Sequence, residues 1–151
     1  LFLKQRETGV LTLTDPEMTR FSIVMSEGGD LVMFALEHGW GGDVICPVSP
    51  SYRVKDMAEA IGPECEHRVV GARPGEKMHE AMFSETEAPF VAQRKRHYVV
   101  TPQAGRWSLK DYCRVEEALP LNEAFTYSSG ENDSRLDVSE LALVVRREFS
   151  A

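Results

Sequence analysis

Short apolar runs along the first hundred positions change period from two to three or four and back again. Val10 to Thr14 is β-prone and runs into Asp15-Pro16, which predicts a strand ending in a turn. Phe21 to Val24 predicts a second short strand. From Ser26 to His38 the spacing turns helical, with Leu31, Phe34, Ala35 and His38 on one face and Gly39 as the stop. Gly28-Gly29 weakens the first turn of that helix. Asp43 to Pro47 predicts a strand, Pro47 to Ser51 a loop, and Lys55 to Ile61 a compact helix closed by Gly62. Glu66 to Val70 predicts a strand that enters Gly71-Ala72-Arg73-Pro74-Gly75-Glu76-Lys77, and a helix is expected from Glu76 to Phe83. His97 to Thr101 predicts one more strand, ended by Pro102. Gln103 to Asn122 shows a weak pattern and predicts an irregular segment. Asp137-Val138-Ser139-Glu140 is a capping box that opens a final helix with Val138, Leu141, Val144 and Val145 on one face.

This alternation predicts a small mixed α/β lobe. Residues 1–102 are expected to form the lobe, with residues 103–151 adding the irregular segment and a C-terminal helix packed on it.

Composition narrows the partners. The 151 residues are 42% hydrophobic and 27% charged, an ordinary globular mixture able to bury one modest core. Seventeen Lys and Arg against 24 Asp and Glu leave a formal charge of −7. Without a basic run, such a chain is a poor binder of nucleic acid or anionic membrane, so any phosphate site must be a local concentration of positive charge. Cys46, Cys65 and Cys113 are widely spaced and form no Cys-x-x-Cys pair, so they read as reduced thiols of a cytoplasmic protein. There is no signal-peptide pattern and no apolar stretch near 18 residues. The first residue is Leu1, as expected of a start inside a longer protein, and equally of processing or a truncated record.

Two segments carry candidate chemistry. In Arg73-Pro74-Gly75-Glu76-Lys77-Met78-His79-Glu80, Pro74 keeps Arg73 extended and Gly75 allows a tight turn. A helix start here would add partial positive charge, and Arg73 offers the forked donors that phosphate takes. The plainer alternative is a surface ion pair between Arg73 and Glu76. In Thr14-Asp15-Pro16-Glu17-Met18-Thr19-Arg20-Phe21, a strand end, a turn and Arg20 could hold a ribose or phosphate, or form a capped turn with a solvated Arg. The remaining candidates read as structural. His79 is one helical turn past Glu76, and His38, His67 and His97 have no metal spacing with any Cys or carboxylate. Cys46 reads as a small buried hydrophobe, Trp107 and Tyr112 as anchors of the irregular segment, and the acidic residues from Glu80 to Glu87 as a solvated face.

Met18-Thr19-Arg20-Phe21 and the Arg73 to Glu80 run together resemble the configuration-inverting UDP-N-acetylglucosamine 4,6-dehydratases of pseudaminic acid and capsular sugar synthesis. The resemblance extends through Gly41-Gly42-Asp43-Val44-Ile45-Cys46-Pro47, Val54-Lys55-Asp56-Met57-Ala58 and Tyr127-Ser128-Ser129 with Asn132 and Leu136, nearly the whole chain. It implies the C-terminal, substrate-binding part of an extended short-chain dehydrogenase/reductase, a lyase whose N-terminal Rossmann half binds NAD(P). It also implies that Arg73 contacts the diphosphate, that Glu76 contacts a ribose or uracil-side group, and that Arg20 and Thr14 line the nucleotide pocket, with Lys77 a solvated neighbour. In that family NAD oxidises carbon 4 of the sugar, water leaves across carbons 5 and 6, and hydride returns to carbon 6. The chain has neither a Gly-x-x-Gly-x-x-Gly run nor a Tyr-x-x-x-Lys pair, so alone it is expected to bind no cofactor or metal, to carry no catalytic residue and to be inactive. The partners implied are a UDP-sugar, the Rossmann half and, in the full-length form, further copies of the same protein. A non-catalytic UDP-sugar-binding module and an inert truncated lobe are the alternatives. Two positions depart from the family pattern: Ser22, where an aromatic residue is usual, and Arg135, where Trp is common.

Overall fold

Leu11 and Leu13 are buried two positions apart in the computed structural model, which describes residues 1–121 and 125–149. Val10 and Thr12 beside them are only half-buried, so the period-two alternation of this segment produces a strand with one inward face. A short helix α1 (Phe2–Arg6) precedes that strand, β1 (Val10–Leu13), and β2 (Thr19–Phe21) and the long helix α2 (Met25–His38) follow it. Next come β3 (Val44–Pro47), β4 (Ser51–Arg53), α3 (Val54–Ile61) and β5 (Glu66–Val69). Then β6 (Ala81–Phe83), β7 (Val91–Arg94) and β8 (His97–Val100) lead to α4 (Leu109–Glu116), β9 (Leu119–Pro120), β10 (Tyr127–Ser128) and α5 (Val138–Phe149). The fold class is mixed α/β, as the alternation predicts.

The elements group into two compact units. The first gathers residues 1–24, 49–80 and the chain from Ser129 onward. In it β1 and β5 run parallel, with Val10 opposite Glu66 and Leu13 opposite Val69. β2 and β4 are antiparallel, with Arg20 opposite Tyr52. Ala58 of α3 closes over Leu11 and Leu13, and Phe2, Val54 and Cys65 complete that core. α5 packs on α3 through a face that buries Leu141 completely. Its capping box forms: the Asp137 amide donates to Glu140 at 2.9 Å and the Glu140 amide to Asp137 at 2.9 Å.

The second unit takes residues 25–48 and 81–128. Its antiparallel sheet has the order β3-β8-β7-β9, and β6 pairs separately with β10. Phe34 of α2, Ala92 and Val99 of the sheet, Tyr112 of α4 and Ala118 form its core. Trp40 and Trp107 pack edge to face at 5.3 Å beside Tyr112, so Trp107 and Tyr112 do anchor their segment. Cys46 is buried, and that burial pushes its thiol up to about 11.

Four local expectations are corrected. No helix forms from Glu76 to Phe83; the run bends at Met78 and His79 and ends as β6. The residues have good helix propensity, but the Thr19 amide donates to the Met78 carbonyl at 2.9 Å and β6 pairs with β10, so tertiary pairing overrides local preference. The span read as irregular contains α4, whose Ser108 and Asp111 make a reciprocal cap; Asn122, at the end of that span, lies outside the described residues. The loop read from Pro47 ends in β4, and the strand read at Phe21 to Val24 lies earlier, at β2. β4 forms by pairing with β2, and its Ser51 amide and carbonyl also bond to Ser134 and Leu136, at 2.9 and 2.8 Å, partners no local pattern reveals.

Candidate functional site

β1 and β5 lie side by side and point the same way, so their carboxyl ends open together. The Val70 amide still donates to the Leu13 carbonyl at 2.8 Å, and Thr14 and Gly71 then begin the two segments that the sequence singles out. In parallel α/β sheets the space beyond the carboxyl ends of the strands is where ligands bind. The segments meet again at the Thr19 to Met78 backbone bond. Between those two ties, residues 71–77 are exposed and hold themselves by internal bonds.

Those bonds define a turn. The Glu76 amide donates to the Arg73 carbonyl at 3.0 Å, and the Glu76 carboxylate accepts from the Arg73 backbone amide at 2.8 Å. Gly75 sits at φ +88°, a left-handed conformation that glycine alone adopts freely. Glu76 is thus bonded to the Arg73 backbone, and no described residue pairs with the guanidinium. The turn presents that guanidinium to solvent with its five donors unused.

Thr14 and Arg20 converge on one atom. The Thr14 hydroxyl donates to the Met18 sulfur at 3.1 Å, and Arg20 Nη2 lies 3.5 Å from the same sulfur. Arg20 Nη1 donates to the Thr19 carbonyl at 2.7 Å and more weakly to the Met78 carbonyl at 3.4 Å, while its Nε lies 3.6 Å from Glu80. Arg20 is therefore braced against the far end of the run that Arg73 begins. Tyr52, opposite Arg20 on β4, has its phenol pushed up by burial, and the Arg20 charge opposes that shift. Lys77 is exposed, as a solvated neighbour should be.

Three residues join this site that sequence reasoning left out of it. Thr19 Oγ1 lies 2.8 Å from His79 Nδ1 and 2.7 Å from Ser129 Oγ, and Ser129 Oγ accepts the Glu80 amide at 2.9 Å. Thr19 and Ser129 are buried, and His79 is exposed. All three lie inside the runs that carry the family resemblance, which was the available signal. Of the two positions departing from the family pattern, Arg135 forms a parallel bridge with Ser51 and bonds the Asn132 and Gly130 carbonyls. Ser22 donates its amide to the Pro50 carbonyl at 2.8 Å.

A dinucleotide cofactor is held where a strand turns through glycines into a helix N-terminus. Here β1 and β5 run instead into a turn and an exposed loop, so the residues present do not fit NAD(P). Among the described residues no cluster of His, Cys, Asp and Glu could hold a metal ion, and no helix is long and apolar enough to cross a membrane.

A family model described as polysaccharide biosynthesis protein matches residues 1–102. The inverting UDP-N-acetylglucosamine 4,6-dehydratase of Campylobacter jejuni subsp. jejuni serotype O:2 is 30% identical over 140 residues, 89% of this chain and 42% of its own length. A UDP-glucose 4-epimerase of Rickettsia conorii is 34% identical over 148 residues, 93% of this chain and again 42% of its own length. The chain therefore spans about two fifths of the curated relatives it matches. Among solved structures, the X-ray structure of Pen from Bacillus thuringiensis superposes with a TM-score of 0.81 over 97% of this chain and 44% of that one. At 22% identity that likeness speaks for the fold.

Proposed function

Because this chain belongs to the polysaccharide biosynthesis protein family, among the extended short-chain dehydrogenase/reductases, we propose that it binds a UDP-sugar. The reading is the substrate-binding part of a UDP-N-acetylglucosamine 4,6-dehydratase that serves surface-polysaccharide or flagellin-glycan synthesis in the cytoplasm. The observation that carries it is the common origin of the two candidate segments at the carboxyl ends of β1 and β5, with an unpaired Arg73 guanidinium at the tip of one. Residues 1–102 supply the pocket and residues 103–151 pack on it. Arg73 binds the diphosphate through its planar fork. Glu76 sets the Arg73 turn through the amide bond and offers its remaining oxygen capacity to the nucleoside. Arg20 and Thr14 line the nucleotide side. The cofactor, NAD(P), and the residues that oxidise the sugar and move its protons belong to a Rossmann half outside this chain, and the complete protein assembles with further copies of itself.

The 34% identity to UDP-glucose 4-epimerases favours a second reading, with the same ligand class and a different sugar reaction. Joining the chain to a Rossmann half separates the two: a 4-keto-6-deoxy product supports the dehydratase, and interconversion at carbon 4 alone supports the epimerase. The chain by itself is expected to make neither product.

Titrating the labelled chain with UDP and following its amide signals tests the binding claim. Signals from Thr14 to Arg20 and from Arg73 to Glu80 should move together. Arg73→Ala should weaken UDP and pyrophosphate by about 1.5–3 kcal/mol, the range for a hydrogen bond to a charged group. Arg73→Lys should recover part of the loss. Equal affinity of Arg73→Ala and the parent for both ligands would remove the diphosphate role.

A further inference from the structure

We infer that His79 is a further ligand-contacting residue of this site: a neutral Nε2–H donor to a diphosphate oxygen, with Thr19 and Ser129 as the positioning residues that aim it. This rests on the UDP-sugar reading above.

The protons decide the tautomer. Ser129 Oγ accepts the Glu80 amide, and its own proton has one acceptor in reach among the described residues, Thr19 Oγ1 at 2.7 Å. Thr19 then has its proton free for His79 Nδ1 at 2.8 Å. Run this way, every hydroxyl proton has an acceptor. Run the other way, with Nδ1 donating to Thr19 and Thr19 to Ser129, the Ser129 proton is left without an acceptor in a residue that is 0% exposed. Leaving a buried donor unmade is the costly arrangement, so Nδ1 accepts and the ring proton sits on Nε2. No described residue bonds Nε2, and His79 is exposed.

The ring is also fixed in place. A Cβ at Gly130 would lie 2.6 Å from His79 Cγ, so the imidazole rests directly against the glycine backbone. A ring with one nitrogen bonded to Thr19, which is itself held by the buried Ser129 hydroxyl, with its body against a glycine and its other nitrogen free, is the arrangement of an oriented donor. Its place agrees with the ligand. His79 lies between Met78, whose carbonyl takes the Arg20 guanidinium, and Glu80, which faces Arg20 Nε, at the foot of the Arg73 turn. Arg73 supplies charge from the tip and His79 a directed neutral donor from the base.

Ring nitrogen spectra of the histidine-labelled chain, free and titrated with pyrophosphate, UDP or uridine, test this. The free protein should show His79 protonated at Nε2, and Nε2 should shift with pyrophosphate and UDP and stay still with uridine. His79→Asn keeps an oxygen for the Thr19 proton but no longer reaches the ligand. It should bind pyrophosphate about three- to tenfold more weakly at an unchanged melting temperature. Thr19→Val should lose the same factor, Thr19→Ser should bind like the parent, and Thr19→Val with His79→Asn should be no worse than either alone. Should Thr19→Val fail to fold, the ring spectrum and Thr19→Ser decide. A proton on Nδ1, or a silent Nε2 while the Arg73 amide responds, overturns the inference and leaves the UDP-sugar reading standing. No response anywhere in the two segments overturns both.

Discussion

Gly130 is constrained by what stands in front of it, Gly75 by its own backbone, and only the second kind of constraint can be read from a sequence. At Gly75 a Pro-Gly pair after a strand announces a tight turn, and the structure has that turn at φ +88°. At Gly130 the limit is the His79 ring, 51 positions earlier in the chain. Gly130→Ala should therefore cost about 1–3 kcal/mol of stability, as overpacking does, or push the ring off Thr19. Urea unfolding and the His79 ring signals together will register either outcome; a variant with parental stability and an unmoved ring would contradict the close contact. The same distinction governs what was legible in the site. Arg73, Glu76, Arg20 and Thr14 stand out because charge, turn residues and motif spacing are local properties. Thr19 and Ser129 do not, since the bond between them spans 110 positions. Even Glu76, a visible neighbour of Arg73, bonds to its amide and not its guanidinium, a choice made by the turn.

Among the elements, α4 and the segment from Glu76 to Phe83 depart from their local sequence patterns in opposite directions. α4 sets Leu109, Tyr112 and Cys113 at helical spacing toward the core, but it is only eight residues long and its cap uses Asp111 where the commoner signature has Glu or Gln. The segment from Glu76 to Phe83 has helix-forming residues but gives its backbone groups to Thr19, Ser129 and β10. α2 and α3 are legible because helical spacing or composition meets a glycine stop there, α5 because a capping box opens an apolar face, and β1, β3, β5 and β8 because short β-prone runs end in turns. The α4 cap gives a test at this scale. Ser108 accepts the Asp111 amide at 3.3 Å and donates to its carboxylate at 2.7 Å. Ser108→Ala should cost about 1 kcal/mol in urea unfolding near neutral pH. The Ser108 hydroxyl and amide bonds hold the Asp111 carboxyl below its ordinary 3.8. A lowered folded value means that this stabilisation is full above 3.8 and is lost as pH falls through the folded value. The difference between parent and Ser108→Ala should accordingly shrink in acid; a gap that stays constant below pH 3.8 would separate the cap from the carboxylate.

For the molecule as a whole, α2 sets the solution behaviour. Met25 and Leu36 are 84% and 76% exposed, and Val32 and Met33, on the same side of the helix, are more than half exposed. An apolar stripe of this kind on a free chain invites association. The isolated chain should sediment as a concentration-dependent mixture and bind a hydrophobic dye, and Leu36→Glu with Val32→Lys should reduce both. A parent that stays monomeric and dye-free at high concentration would show the stripe to be tolerated. The way the two units share the chain has a further consequence for synthesis. Every segment of the second unit has been translated once residue 128 is added, whereas the first unit still awaits Ser129 and α5. A product stopped short of Ser129 would hold the Arg73 arm with its hydroxyl latch missing. Ser129 thus joins the arm late in synthesis, and the site closes only after every segment of the second unit has been made.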